Sequence, residues 1–246
     1  MNQKLTQQSL DFFESHNISF HNRFGIRLKV GDHINFLDDL SIEPYVGFHA
    51  GNNLFDLGYM SYSNSQLPLD IKIGRYCSLA MGINFISYNH PWKCLSTSIF
   101  SHDRVTDLTV RAIKDFLPIE KKFGFVGNPQ KKQVTIEHDV WIGQNCSLVA
   151  GINLGIGSIV AANSVVTKDV PPYAIVGGNP AQIIKFRFSA DTIHQLLESG
   201  WWEYNFTDFV DLDISNPEVF LDGFLKVKSN LIKFNPTKVK ISDCPF

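Results

Sequence analysis

Long apolar runs are missing from this 246-residue chain, and no stretch is long enough to span a bilayer. Its opening, MNQKLTQQSLDFF, lacks the basic, then apolar, then small-residue order of a secretory leader, so the cytoplasm is the expected compartment. Charge is sparse: charged residues make up 19% and the net charge is -2, which gives no electrostatic footing for nucleic acid or an acidic membrane. Only four cysteines occur, Cys77, Cys94, Cys146 and Cys244, with no pair at metal-ligand spacing, so free thiols and no metal site are expected. The hydrophobic share, 44%, is that of a globular protein and excludes disorder as the default. All-β architectures commonly run to this length as one unit, so one main domain with small terminal additions is expected.

What the chain does contain is a six-residue period. Residues 136–171 divide into IEHDVW, IGQNCS, LVAGIN, LGIGSI, VAANSV and VTKDVP without a slip. Position one is Ile136, Ile142, Leu148, Leu154, Val160 and Val166, a branched aliphatic every time. A helical or heptad period would lose this phase within two repeats. Position four is Asp139, Asn145, Gly151, Gly157, Asn163 and Asp169, the residue types that tolerate a left-handed backbone at a corner. Position five is Val140, Cys146, Ile152, Ser158, Ser164 and Val170, all small or β-branched.

The period continues upstream, less cleanly, at Val30, Phe36, Ile42, Phe48, Leu54 and Met60. It resumes after a slip at Leu67, Ile73, Leu79 and Phe85, which predicts a bulge or corner loop near Ser65 and Gln66. The pattern predicts an all-β parallel β-helix of about five stacked coils. One coil buries too little to offset its own ordering, so stability belongs to the stack. The expected division is a helical or extended segment over 1–29, the β-helix over 30–188 with a loop excursion over 86–133, and a C-terminal helix and tail over 189–246.

Between Phe85 and Val134 the period vanishes, for longer than an ordinary structureless connection. The interruption opens with ISYNHPW, which puts His90 where the chain leaves the sheet. A histidine suits acyl transfer to a hydroxyl, because its ordinary pKa of about 6.5 leaves the neutral base abundant near pH 7. The competing account is a plain loop histidine, one of eight in the chain.

DVWIG at 139–143, AANSVVTKDVPPYAIVGGNPAQIIKFRF at 161–188 and the following ADTIHQLLESGWW resemble the xenobiotic branch of the hexapeptide acyltransferases, which includes chloramphenicol and streptogramin acetyltransferases. FDLGYMSYS at 55–63 and IGRYCSLA at 73–80 extend the likeness to about two thirds of the chain. The resemblance implies a left-handed coil, a homotrimer with active sites between subunits, acetyl-CoA as co-substrate along the coil edge, and His90, preceded by Asn89, as the catalytic base. It also implies that Trp141 packs against the thioester end, that Gln144 and Ala162 present backbone to the pantetheine arm, and that Thr167, Lys168, Lys185 and Arg187 meet the phosphorylated adenosine end. The alternatives are a surface aromatic for Trp141 and solvated surface cations for the basic residues. Tyr59, Tyr62, Tyr88 and Trp92, beside Asn89, are the candidates for the acceptor side, with core packing as the competing account.

The continuation SYNHPWKCLSTSIF departs from the antibiotic-modifying members, while it and FDLGYMSYS resemble bacterial carbohydrate-modifying relatives, and that resemblance implies a hydroxyl of a saccharide, a surface polysaccharide or its precursor, as the acceptor. A nucleotide-linked amino sugar and an antibiotic hydroxyl are the next alternatives. Zinc chemistry through His90 and His138 is disfavoured because no clustered histidine pairs are present. A non-catalytic scaffold is the remaining reading. Toward the termini, QKLTQQSLDFFES predicts a short helix over 3–15. A second helix opens at Ser189, carries Ile193, Leu196 and Leu197 on one face, and ends at Gly200. Residues 203–246 show no clear period.

Overall fold

The computed structural model describes residues 1–22, 24–86, 90–118, 120–126 and 133–246, which form two compact units. The larger comprises Met1–Ile86 with Gln133–Phe246, and the smaller is residues 87–132.

The larger unit is a three-sided parallel coil. One face stacks the strands Asp56–Leu57, Lys72–Ile73, Thr135–Ile136 and Asn153–Leu154, all parallel. The second stacks Val46–Phe48, Tyr62–Ser63, Ser78–Leu79, Trp141–Ile142, Ile159–Val160 and Ala174–Gly178 in parallel and closes with the antiparallel Ala181–Phe186. The third stacks Asn84–Ile86, Ser147–Val149 and Val165–Val166. Hexads rotate through the three faces in turn, so every sixth side chain points to one shared axis. Five turns result: Ile42, Phe48, Leu54; Leu57, Ser63, Leu67; Ile73, Leu79, Phe85; Ile136, Ile142, Leu148; and Leu154, Val160, Val166. All are buried except the partly buried Phe85.

The corners explain the polar residues between these aliphatics. Asp139, Asn145, Gly151, Gly157 and Asn163 all have φ between 56° and 85°, the left-handed region expected of position four. Asp169 is the exception; its carboxylate instead accepts from the Asn153 N–H at 2.8 Å. Upstream the same offset holds at Tyr45, Gly51, Met60, Tyr76 and Gly82, three residues after Ile42, Phe48, Leu57, Ile73 and Leu79.

Two expected core positions are corrected. Met60 has φ 57° and is 41% exposed, so it is a corner, and the inward residue of its turn is Leu57. Val30 is 56% exposed and lies outside the regular turns. The irregularity expected near Ser65 is a short corner held by serines. Ser65 Oγ donates to the Ala80 carbonyl at 2.7 Å and accepts from the Ile83 N–H at 3.0 Å, while Ser63 Oγ donates to the Ser65 carbonyl at 2.9 Å.

Both termini close back on the first turn. Asn2–Lys4 pairs with His33–Asn35, and Val239–Lys240 pairs with Ser41–Ile42, both antiparallel. The expected helix over 3–15 is shorter, α1 (Gln7–Ser15), because Thr6 caps it and residues 2–4 are strand. In the smaller unit, α2 (Asp107–Phe116) is the one α-helix among the described residues. The helix expected after Ser189 is α3 (Ala190–Ser199), capped by Ser189 Oγ and ended by Gly200 at φ 60°. Leu196 from α3 and Leu221 from α4 (Pro217–Val227) bury Tyr173. A buried ion pair ties the tail down: both Glu43 oxygens accept from Arg75 at 2.8 Å, and Arg75 Nη1 donates to the Phe234 carbonyl at 2.9 Å.

Exposed Asn163 tests the corner rule without disturbing the core. Asn163→Val should cost about 1–2 kcal/mol of unfolding free energy, because a Cβ-branched residue resists this backbone conformation. Asn163→Gly should stay within about 0.5 kcal/mol of the parent in chemical denaturation.

Candidate active site

The coil geometry lines up three of the candidate residues of the larger unit, Tyr62, Trp141 and Lys185. Tyr62, Ser78, Trp141, Ile159, Ile175 and Lys185 are successive register partners across the second face. Their chain neighbours Ser63, Leu79, Ile142, Val160 and Val176 are buried, so this row faces outward. Five strand spacings of about 4.8 Å put Tyr62 and Lys185 roughly 24 Å apart. Trp141 stands between them with 54% of its surface exposed.

Gln144 and Ala162, both third positions and both exposed, stack on the corner that follows this face. The Gln144 carbonyl accepts from the Asn163 N–H at 2.8 Å. Neighbouring turns approach closely there, because a Cβ on Gly143 would sit 2.6 Å from the Ala162 nitrogen. Thr167 and Lys168 are exposed but belong to the next corner, the one from which residues 87–132 depart. The coil therefore does not bring them together with Trp141, Gln144 and Ala162.

Two expected ligands have partners within the chain. Arg187 is a strut: Nη1 donates to Asp139 Oδ2 at 2.7 Å and to the Gly157 carbonyl at 2.8 Å, while its plane lies over Tyr173 and Phe188. Burial raises the Asp139 pKa, and Arg187 opposes that rise. Tyr59 is 3% exposed, packs against Tyr45, Tyr76 and Phe234, and donates to Asn205 Oδ1 at 3.0 Å, which makes it a core residue. Tyr62, three residues on, is exposed and stacks on His49 with centroids 5.4 Å apart. The two rings line a groove of about 910 Å³ with Leu10, Leu28, Tyr45 and Met60. Burial lowers the His49 pKa against an opposing hydrogen bond with Asn64. His49 was absent from the sequence candidates, since nothing in its neighbourhood breaks the hexad pattern.

In the smaller unit His90 is exposed and its Nδ1 meets the Thr97 carbonyl. A carbonyl only accepts, so the neutral ring carries its proton on Nδ1 and leaves the Nε2 lone pair free. Thr97 is thus the orienting group that the sequence left unspecified. Trp92 is exposed, with the Lys93 ammonium over its ring. Tyr88 and Asn89 lie outside the described residues. His138, weighed above as a metal ligand, is committed elsewhere: Nδ1 accepts from the Arg75 N–H at 2.9 Å, and its ring stacks on Trp202.

Residues 133–168 match the family model described as the hexapeptide repeat of succinyl-transferase. A probable macrolide acetyltransferase from Lysinibacillus sphaericus is 36% identical over 161 residues, covering 62% of this chain and 81% of that protein. A chloramphenicol acetyltransferase from Klebsiella aerogenes is 33% identical over 164 residues, covering 65% and 72%. Among solved structures, a hexapeptide-repeat containing acetyltransferase from Vibrio cholerae is 27% identical with a TM-score of 0.38, covering 60% of this chain and 70% of that one. The chain belongs to the hexapeptide-repeat acetyltransferase family.

The strut assignment carries a stability prediction. Arg187→Ala should cost about 2 kcal/mol by leaving a partly buried carboxylate without its partner. Adding Asp139→Asn should recover much of that loss, measured by thermal and chemical unfolding of the single and double variants.

Proposed function

We propose that this protein transfers an acetyl group from acetyl-CoA to a hydroxyl of a saccharide, a surface polysaccharide or its precursor, with His90 as general base. The observation that carries the reading is the His90 ring, exposed and turned by the Thr97 carbonyl so that Nε2 is free, in a chain of an acetyltransferase family. Nε2 takes the proton as the acceptor oxygen attacks the thioester carbonyl carbon. The carbon–sulfur bond then breaks, and the departing thiolate recovers the proton from His90. No acyl-enzyme is needed.

The outward row supports a binding path. Trp141 takes the thioester end, Gln144 and Ala162 flank the pantetheine arm, and Lys185 meets phosphate as a point charge. Thr167 and Lys168 serve the same cofactor from another copy of the chain, which is the role a left-handed homotrimer gives to the next corner. Apolar side chains exposed on the second face, Trp141 and Ile183, and at the corners beside it, Tyr45 and Met60, suit such packing. Tyr62 faces the acceptor; Trp92, Tyr88 and Asn89 are further candidates for it, the last two outside the described residues. No helix among the described residues is long and apolar enough to cross a membrane, and the work is assigned to the cytoplasm.

A second reading, acetylation of an antibiotic hydroxyl, is favoured by the likeness to macrolide and chloramphenicol acetyltransferases. The apolar groove beside Tyr62 would take either a sugar face or a drug ring. Acetyl-CoA consumption across a panel of saccharides, amino sugars and antibiotics separates them; consumption confined to the antibiotics would overturn the saccharide reading. His90→Ala should lower kcat by about 10² to 10⁴ while acetyl-CoA still binds. Full turnover in that variant would remove His90 from the chemistry.

A further inference from the structure

The turn that orients His90 also holds a second imidazole. Thr97 supplies the carbonyl for His90 Nδ1. The next residue, Ser98, accepts through its carbonyl from the Ser101 N–H at 2.9 Å and the Ser101 hydroxyl at 2.8 Å. That hydroxyl has spent its one proton, so its contact with His102 Nδ1 at 3.1 Å makes His102 the donor. The His102 and Asp103 N–H groups both return to the Ile99 carbonyl, at 3.2 and 3.0 Å. Asp103 fixes the following residues by accepting from the Val105 and Thr106 N–H groups at 2.8 and 3.0 Å. His102 is therefore clamped through backbone, ring nitrogen and both neighbours. Its ring meets that of His90 edge to face, with centroids 4.8 Å apart and planes at 70°.

We infer that His102 is a positioning residue for His90, its ring walling the base into the rotamer that keeps Nδ1 on Thr97 and Nε2 free. The need is physical. An exposed imidazole with one hydrogen bond to a carbonyl competes with water for that bond, and it can turn about its outer side-chain torsion. Once turned, it exchanges tautomers and presents a proton where the lone pair is required. A flat neighbour fixed by its own network removes that freedom, and aromatic pairs favour this edge-to-face arrangement. The sequence signal was present in STSIFSHD, whose hydroxyl residues bracket the second histidine, but the spacing alone pairs nothing with His90.

The inference rests on His90 as the base, yet its test reads the ring directly. Full-length protein labelled with 15N-histidine is observed by long-range proton–nitrogen correlation at alkaline pH, with the His90 signal assigned by its loss in His90→Ala. Parent protein and His102→Phe, which keeps a flat ring, should show a single Nδ1–H tautomer for His90. His102→Ala and His102→Leu should show mixed tautomers, and kcat should fall about tenfold with the KM for acetyl-CoA unchanged. The leucine variant keeps the turn filled should the alanine variant lose its fold. A single unaltered tautomer in both the alanine and leucine variants, or mixed tautomers in the phenylalanine variant, would overturn the inference. Mixed tautomers with unchanged kcat would leave His102 as the positioning residue and remove His90 as the base.

Discussion

Everything in the larger unit depends on the left-handed corner that recurs within the hexad. A chain that must reach three faces in eighteen residues cannot do so with extended backbone alone. It bends at position four, where φ turns positive, and so returns the next aliphatic to the axis. Asparagine, aspartate and glycine accept this conformation at little cost. Tyrosine and methionine accept it at Tyr45, Met60 and Tyr76 because the buried aliphatics of the same turns over-determine the path. The inward aliphatics supply the stability, and the corners make it possible to collect them.

The same geometry produces the outward row. Because adjacent turns stack in register, residues from different turns become neighbours, and Tyr62, Trp141 and Lys185 fall on one line although far apart in sequence. A repetitive coil by itself offers only such regular rows. The repeat is suspended between Ile86 and Gln133, and within the smaller unit the Thr97 carbonyl decides which nitrogen of His90 is free.

How much of this could be read from the sequence varies with the kind of interaction. The clean hexads from Ile136 were legible because one side-chain type repeats at one buried position, and five of the six corners followed from residue type. Met60 was misread because apolar character alone does not separate an inward position from a corner, and the inward residue after Leu54 is Leu57, only three positions on. Tyr59 and Tyr62 look alike in sequence, but the Glu43 carboxylate that accepts from the Tyr59 N–H belongs to the preceding turn. Arg187 pairs with a carboxylate 48 positions away, a distance no local pattern encodes. The helix α4 was overlooked although Asn216, Pro217 and Glu218 together make a helix-start signature.

The central claim is that one copy of the outward row holds the thioester while an imidazole oriented by Thr97 takes the acceptor proton. A crystal structure of the protein with coenzyme A bound tests it most directly. The account predicts the thiol end beside Trp141, the arm running past Gln144 and Ala162, and a His90 Nε2, from the same or another copy, close to the sulfur. A coenzyme bound away from the Tyr62 to Lys185 row, or a sulfur with no His90 ring near it, would contradict it.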